Sequence, residues 1–135
     1  MSDEERQIHP NALPNCEKAE IPRSKLAEYV LDPLHTDGQH KARVFKSALR
    51  YEQSNWGDLK DAILAELPYN EAVFISEGKY GKKYEVILPI TGPNGNKADV
   101  KTAWIIRPGT NFPSLVTTLV AKKKEDSDVG SQEQS

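Results

Sequence analysis

The chain has a single cysteine, Cys16, and no apolar run near the roughly 20 residues that a membrane-spanning helix needs. One cysteine excludes an internal disulfide bond, and no set of cysteines and histidines has zinc-site spacing. The N-terminal residues Met-Ser-Asp-Glu-Glu-Arg are acidic, whereas a secretory signal begins with basic residues followed by apolar ones. We therefore expect a cytoplasmic protein with no membrane partner, no bound metal and an inert cysteine.

Several catalytic motifs are also missing from the sequence. The chain has no Walker loop, no glycine fingerprint for dinucleotides, no serine nucleophile elbow and no pair of metal-binding carboxylates. These absences argue against the commonest classes of NTPase, oxidoreductase and hydrolase. We expect the protein to use no cofactor.

The net charge of −2 is unevenly distributed. Residues 11–124 contain 17 Lys and Arg against 13 Asp and Glu, a balance of +4, whereas residues 1–10 contribute −2 and residues 125–135 contribute −4. A mildly basic body is compatible with a phosphate-bearing partner such as RNA, although +4 is small for a dedicated duplex-binding protein.

One domain is expected over residues 13–121. A chain of 135 residues is long enough for one hydrophobic core but not for two. Residues 1–12 and 122–135 are polar and show no hydrophobic periodicity. Because such segments bury little apolar surface, we expect both ends to be disordered.

Hydrophobic periodicity divides this domain into helices followed by strands. Apolar residues recur at helical spacing over residues 23–31, 38–50 and 56–67. After residue 70 the period falls to two, with short connections typical of hairpins. The sequence therefore predicts an α+β fold in which about three N-terminal helices pack on one face of a four-stranded antiparallel meander. The predicted strands are 72–77, 83–90, 97–107 and 114–121, and the predicted core contains Phe45, Trp56, Ile63, Val86, Leu88 and Trp104.

Residues 35–49 concentrate titratable and cationic side chains at the start of the second predicted helix. Metal-independent RNA cleavage needs a base for the 2′-OH, an acid for the leaving oxygen, and cations for the developing phosphorane charge. His35 and Lys41 are candidate catalytic residues, and His40 and Arg43 are candidate substrate-binding residues. The alternative is structural, because His35 can simply bond to backbone and the other three can belong to a solvated helix face.

Two further candidates lie among the predicted strands. Thr117 and Thr118 must point to opposite faces of the sheet, so only one of them can lie on the face away from the helices. We take Thr117 as the third candidate catalytic residue and Lys83, near a turn, as a candidate contact to phosphate. Tyr84 shares its face with apolar residues and is expected in the core.

The order and spacing of many residues resemble a bacterial family catalogued as a domain of unknown function. The resemblance covers residues 13–120. The shared segments are Leu13-Pro14-Asn15, Ala19-x-Ile21-Pro22, Lys25-Leu26, Tyr29, His35-x-x-Gly38-x-x-Lys41-Ala42-x-x-Phe45, Tyr80-Gly81-x-Lys83-Tyr84, Leu88, Thr91-Gly92-Pro93-Asn94-Gly95, Trp104 and Leu115-Val116-Thr117.

Members of that family occur as small free-standing proteins and as C-terminal modules of polymorphic-toxin and phage head-associated proteins. The resemblance therefore implies a toxin-like domain, and the order of helices then meander is similar to that of the barnase/colicin/RelE-like ribonucleases. We expect a small ribonuclease acting on RNA, or alternatively a non-catalytic protein-interaction module of the same fold. A cognate antitoxin or immunity protein is the expected protein partner, and the oligomeric state is left open. The chain departs from the family pattern at Thr36, Arg50 and Leu119.

Overall fold

The computed structural model describes residues 6–123 and has the predicted α+β architecture, with the helices preceding the strands. The disorder expected of residues 1–5 and 124–135 concerns segments outside the described residues. None of the helices described in this part of the chain is long and apolar enough to span a membrane.

The first predicted helix, which follows a 3-10 turn at Cys16–Lys18, is wider over most of its length than an α-helix. Residues 23–31 were expected to be α-helical, but only α1, Arg23–Lys25, is α-helical, and Leu26–Val30 continues as a π-helix. The wider turn directs three apolar side chains into the core and leaves Tyr29 half-buried at its margin. The next two helices are α2, Gln39–Leu49, and α3, Trp56–Glu66.

Each of these two helices buries one side. The buried residues of α2 are Ala42, Phe45, Ala48 and Leu49, and those of α3 are Leu59 and Ile63. Trp56 was predicted in the core but is only half-buried, because it begins α3 at the margin and lies near two cationic side chains. The other predicted core residues, Phe45, Ile63, Val86, Leu88 and Trp104, are buried.

Four antiparallel strands follow in simple meander order. They are β1, Ala72–Gly78; β2, Gly81–Thr91; β3, Lys97–Ile106; and β4, Ser114–Lys123. Helix α2 packs against β3 and β4, and α3 packs against β2. Val86, Thr102 and Thr118 lie side by side on the helix-covered face, and each is buried. The α+β fold predicted from the periodicity is therefore confirmed.

The segment before Leu13 contacts the domain from Arg6 onward, where the sequence predicted a disordered tail through residue 12. The guanidinium of Arg6 donates to both carboxylate oxygens of Glu66, at 3.0 and 3.2 Å, and lies 3.9 Å from the ring centroid of Tyr69. The carbonyl of Asn11 accepts from the backbone N–H of Ala72, the first residue of β1, at 2.9 Å. Contacts with the end of α3 hold this segment, although its own residues lack hydrophobic periodicity.

Candidate functional site

His35 is held in the turn before α2 by backbone hydrogen bonds. Its Nδ1 accepts from the backbone N–H groups of Asp37, at 3.0 Å, and Gly38, at 3.2 Å. The imidazole ring also meets the ring of Tyr29 edge-on, with centroids 4.9 Å apart and an interplanar angle of 80°. His35 therefore satisfies amide groups at the entry to α2, which is the structural role that the sequence left as an alternative.

These bonds determine what the imidazole of His35 can do chemically. A nitrogen that accepts from two N–H groups carries no hydrogen, so in the neutral ring the hydrogen is on Nε2. A general base must instead present an unprotonated nitrogen to the reacting hydroxyl. His35 in this geometry presents a hydrogen-bond donor, not a base.

Lys41 and Tyr29 extend this group of donors. The ammonium nitrogen of Lys41 lies 3.4 Å from the hydroxyl oxygen of Tyr29 and 5.4 Å from the ring centroid. Because the hydroxyl accepts from the lysine, its own hydrogen can point to a ligand. We name Tyr29, His35 and Lys41 the donor cluster. Each of its members can donate a hydrogen bond to an anion.

The donor cluster depends on the close approach of the π-helical turn to the start of α2. Gly38 is buried at this contact, and a Cβ atom added to it would lie 1.9 Å from the carbonyl oxygen of Tyr29. No other residue type fits at this distance without moving one of the two segments. Gly38 thereby sets the spacing between Tyr29 and Lys41.

The other cations of α2 are directed elsewhere. Arg43 lies two residues beyond Lys41 and is therefore rotated by about 200° around the helix axis. Its guanidinium contacts Nδ1 of exposed His40 at 3.1 Å and lines a cavity of about 250 Å³ together with Lys46. Lys46 also lies 3.7 Å from the carboxylate of Glu52. The structure thus separates the proposed substrate-binding pair, His40 and Arg43, from the donor cluster.

Thr117 and Lys83 lie on the opposite side of the sheet. Thr118 is buried on the helix-covered face, where its hydroxyl donates to the carbonyl of Lys101 at 2.7 Å. Neighbouring Thr117 therefore points to the open face, as does Lys83, which pairs with Ile105 across β3. The hydroxyl of Thr117 is buried without a hydrogen-bond partner among the described residues. The fold brings His35 and Lys41 each into contact with Tyr29 and places Thr117 and Lys83 on the other face of the sheet.

A family model described as a domain of unknown function, DUF6883, matches residues 12–122. The chain belongs to the DUF6883 family. The matched region of the DUF6883 domain includes all three helices and nearly all of the sheet. No curated protein and no solved structure matches the chain.

Tyr29 is the member of the donor cluster that the sequence analysis missed. Its ring is half-buried against the core. The phenolic oxygen was the signal for a second role, because a buried Tyr usually places its hydroxyl beside a polar partner. In the DUF6883 domain that partner is Lys41.

No cluster of three metal-binding side chains occurs within residues 6–123. The lone cysteine, Cys16, is half-buried, and burial, with a smaller effect from Glu17, raises the pKa of its thiol. A raised pKa leaves less of the reactive thiolate at neutral pH. The donor cluster is therefore the strongest candidate site in the described part of the DUF6883 domain.

Proposed function

We propose that this domain is a non-catalytic protein-interaction module whose donor cluster binds a carboxylate of an acidic partner. The observation that carries the proposal is the pair of backbone bonds to Nδ1 of His35. With Nδ1 occupied, the three side chains of the cluster supply donors and no base. Such a set suits binding of an anion better than it suits transfer of a proton from a hydroxyl.

The surface beside the cluster favours a protein as the partner. Leu34, which immediately precedes His35, is 89% exposed, so a protein that reaches the cluster can also cover an apolar side chain. A nucleic acid binds more tightly to a surface on which several cations lie together. Here Lys41 and Arg43 lie on different sides of α2.

The family resemblance suggests which protein the partner is. On this proposal the chain is a bacterial, toxin-like domain that acts in the cytoplasm and is bound by a cognate antitoxin or immunity protein. An acidic side chain of that protein meets the donor cluster, and an apolar one covers Leu34. Association with the mildly basic body, which carries +4 over residues 11–124, is faster when the partner is acidic.

A metal-independent ribonuclease is the second candidate. It is favoured by one observation, that two of the residues selected for catalysis, His35 and Lys41, lie beside the same tyrosine ring. In that mechanism the ammonium group of Lys41 protonates the leaving 5′ oxygen and becomes a neutral amine, and Nε2–H of His35 stabilises the phosphorane by donating a hydrogen bond. The base that removes the 2′-OH proton has to come from outside the cluster, since Thr117 is on the far face of the sheet.

Two measurements on purified protein distinguish these functions. The first follows amide and imidazole NMR signals during titration with acetate, a carboxylate probe. The interaction module predicts saturable shifts at Gly38 and His35 that are lost in Lys41→Ala. Arg43→Ala is the matched control, because Arg43 is a cation of the same helix outside the cluster, and it should leave these shifts unchanged.

The second measurement incubates the same proteins with total RNA. The interaction module predicts no cleavage by the unmutated protein. Cleavage that falls by about 10² in both His35→Ala and Lys41→Ala would instead establish the ribonuclease. Absence of both acetate shifts and RNA cleavage would contradict the two functions together.

A further inference from the structure

A cavity of about 250 Å³ lies between α2 and the chain that follows the π-helical turn. It lies on the flank of α2 that carries Arg43, which the helix directs away from the donor cluster. The lining residues that bear on its chemistry are Leu31, Pro33, Ala42, Arg43, Lys46 and Glu52. A concave pocket with apolar side chains and a few polar groups is the usual form of a small-molecule site. The cavity therefore has the form of a separate binding site.

The floor of the cavity is apolar. Leu31 and Ala42 are buried beneath it, and the rigid ring of Pro33 lies at its side. Water on this floor meets side chains that offer no hydrogen bonds. A ligand that displaces this water gains from the hydrophobic effect, so the floor favours a ligand with an apolar body.

The wall that carries Glu52 is held by hydrogen bonds. The backbone N–H of Glu52 donates to the side-chain oxygen of Asn55 at 2.6 Å. The side-chain amide of neighbouring Gln53 donates to the carbonyl of Ala27, within the π-helical turn, at 2.8 Å. These bonds connect the wall to the segment that leads into the floor. The cavity is therefore formed before a ligand binds, and binding needs little reordering.

The charges around the cavity leave one cation unbalanced. Arg43 has no carboxylate partner within residues 6–123, and its guanidinium contacts Nδ1 of His40 at 3.1 Å. Lys46 lies 3.7 Å from the carboxylate of Glu52. Two cations and one carboxylate give the lining a net charge of +1. A ligand with one negative charge balances the lining, whereas a second negative charge would be repelled by Glu52 without a cation to offset it.

We propose that this cavity binds a small organic acid, in which a ring or a branched apolar body carries one carboxylate. The carboxylate accepts from Arg43, whose guanidinium can donate two parallel hydrogen bonds, and the body lies on Leu31 and Ala42. Sites for drug-sized ligands occupy about 300–1,000 Å³, so this smaller cavity suits a molecule with a single ring. A phosphate ester fits less well, because at neutral pH it carries nearly two negative charges.

Titration of the full chain with phenylacetate, followed by NMR, tests this site. We expect saturable shifts at Ala42 and Lys46, and nuclear Overhauser effects from the ring protons to the methyl groups of Leu31 and Ala42. Arg43→Ala should weaken binding at least several-fold. Lys97→Ala, which removes an exposed cation at the start of β3, is the control and should leave binding unchanged. Circular dichroism of both variants verifies that they are folded.

Three related probes separate the ring from the charge. Acetate has the charge without the ring, and benzylamine has the ring with the opposite charge. Each should bind this cavity at least several-fold more weakly than phenylacetate, and binding as tight as that of phenylacetate would overturn the proposal. Phenyl phosphate should bind no more tightly than phenylacetate. A tighter complex with phenyl phosphate would overturn the assignment of a singly charged ligand.

The position of bound phenylacetate distinguishes this site from the donor cluster. Absence of the contacts to Leu31 and Ala42 at millimolar phenylacetate, or full binding by Arg43→Ala, would overturn the proposal. Shifts confined to Gly38 and His35 would do the same, because the acid would then be bound at the donor cluster. The two proposals can therefore fail separately: acetate shifts at His35 test the donor cluster, and ring contacts to Leu31 test the cavity.

Discussion

Replacement of His35 by alanine tests whether its imidazole holds the start of α2. The change removes the acceptor for the N–H groups of Asp37 and Gly38 and the edge contact with Tyr29. Asparagine is the matched control, because its side-chain oxygen stands at nearly the same distance from the backbone as Nδ1 of histidine. His35→Asn keeps the acceptor and loses only the aromatic contact.

The expected magnitudes follow from these contacts. Loss of a capping acceptor costs about 0.5–2 kcal/mol, and loss of an aromatic edge contact costs about 0.5–1.5 kcal/mol. We therefore expect His35→Ala to lower the free energy of unfolding by about 1–3.5 kcal/mol and His35→Asn by about 0.5–1.5 kcal/mol. In a domain of this size, 1 kcal/mol corresponds to about 3–6 °C in Tm.

Urea unfolding followed by circular dichroism measures both variants under identical conditions. The slope of the free energy of unfolding against urea concentration should be the same for all three proteins, so that the urea concentrations at the unfolding midpoints can be compared directly. An alanine variant as stable as the unmutated protein would refute the capping role. Equal destabilisation by alanine and asparagine would show that the ring contact, and not the acceptor at Nδ1, carries the effect.

Three further predictions concern the fold around the site. Arg50 follows the last turn of α2 in the left-handed conformation, at φ 66°, which strains any residue other than glycine. Arg50→Gly should therefore raise the free energy of unfolding by about 0.5–1 kcal/mol in urea. A lower free energy of unfolding would contradict backbone strain at this residue. The Thr102 hydroxyl accepts from Trp104 Nε1 at 2.7 Å, so Thr102→Val should cost about 1–3 kcal/mol and Thr102→Ser much less; equal losses would argue against this bond. Burial, and to a smaller extent the charge of Asp58, raises the pKa of the Tyr51 hydroxyl above its usual value of 10.0. The protonated hydroxyl therefore makes its full contribution to the free energy of unfolding below pH 10.0, and this contribution is lost as the pH rises through the raised pKa. Tyr51→Phe should resist alkaline unfolding better in pH-dependent melts, and an unchanged alkaline limit would contradict this.

Helix α2 and strands β2, β3 and β4 were predictable because each has one buried side, and burial of one side sets the period of the apolar residues. The π-helical turn at Leu26–Val30 was not, since an α-helix and a π-helix can bury the same few apolar residues. The contacts of Arg6 are with Glu66 and Tyr69, about 60 positions away in the sequence, and local hydrophobic periodicity cannot predict contacts between such distant residues.

Part of the candidate site was predictable because two of its residues are close in the sequence. His35 lies in the turn before α2 and Lys41 in the first turn of that helix, so the two are close in the sequence. Tyr29 joins them only because Gly38 lets two segments touch. Alternation showed that Thr117 and Thr118 face opposite ways, but the shift in pairing between Ala103 and Trp104 determines which of them is buried against the helices.

The tautomer of His35 is the most direct test of the central claim, that this cluster donates hydrogen bonds and lacks a base. Nitrogen NMR of the imidazole, recorded on the unmutated protein with the ring neutral, distinguishes the two tautomers. The claim predicts the hydrogen on Nε2 and an unprotonated Nδ1 that accepts from Asp37 and Gly38. A neutral ring with its hydrogen on Nδ1 would contradict it, because Nε2 would then be free to act as a base.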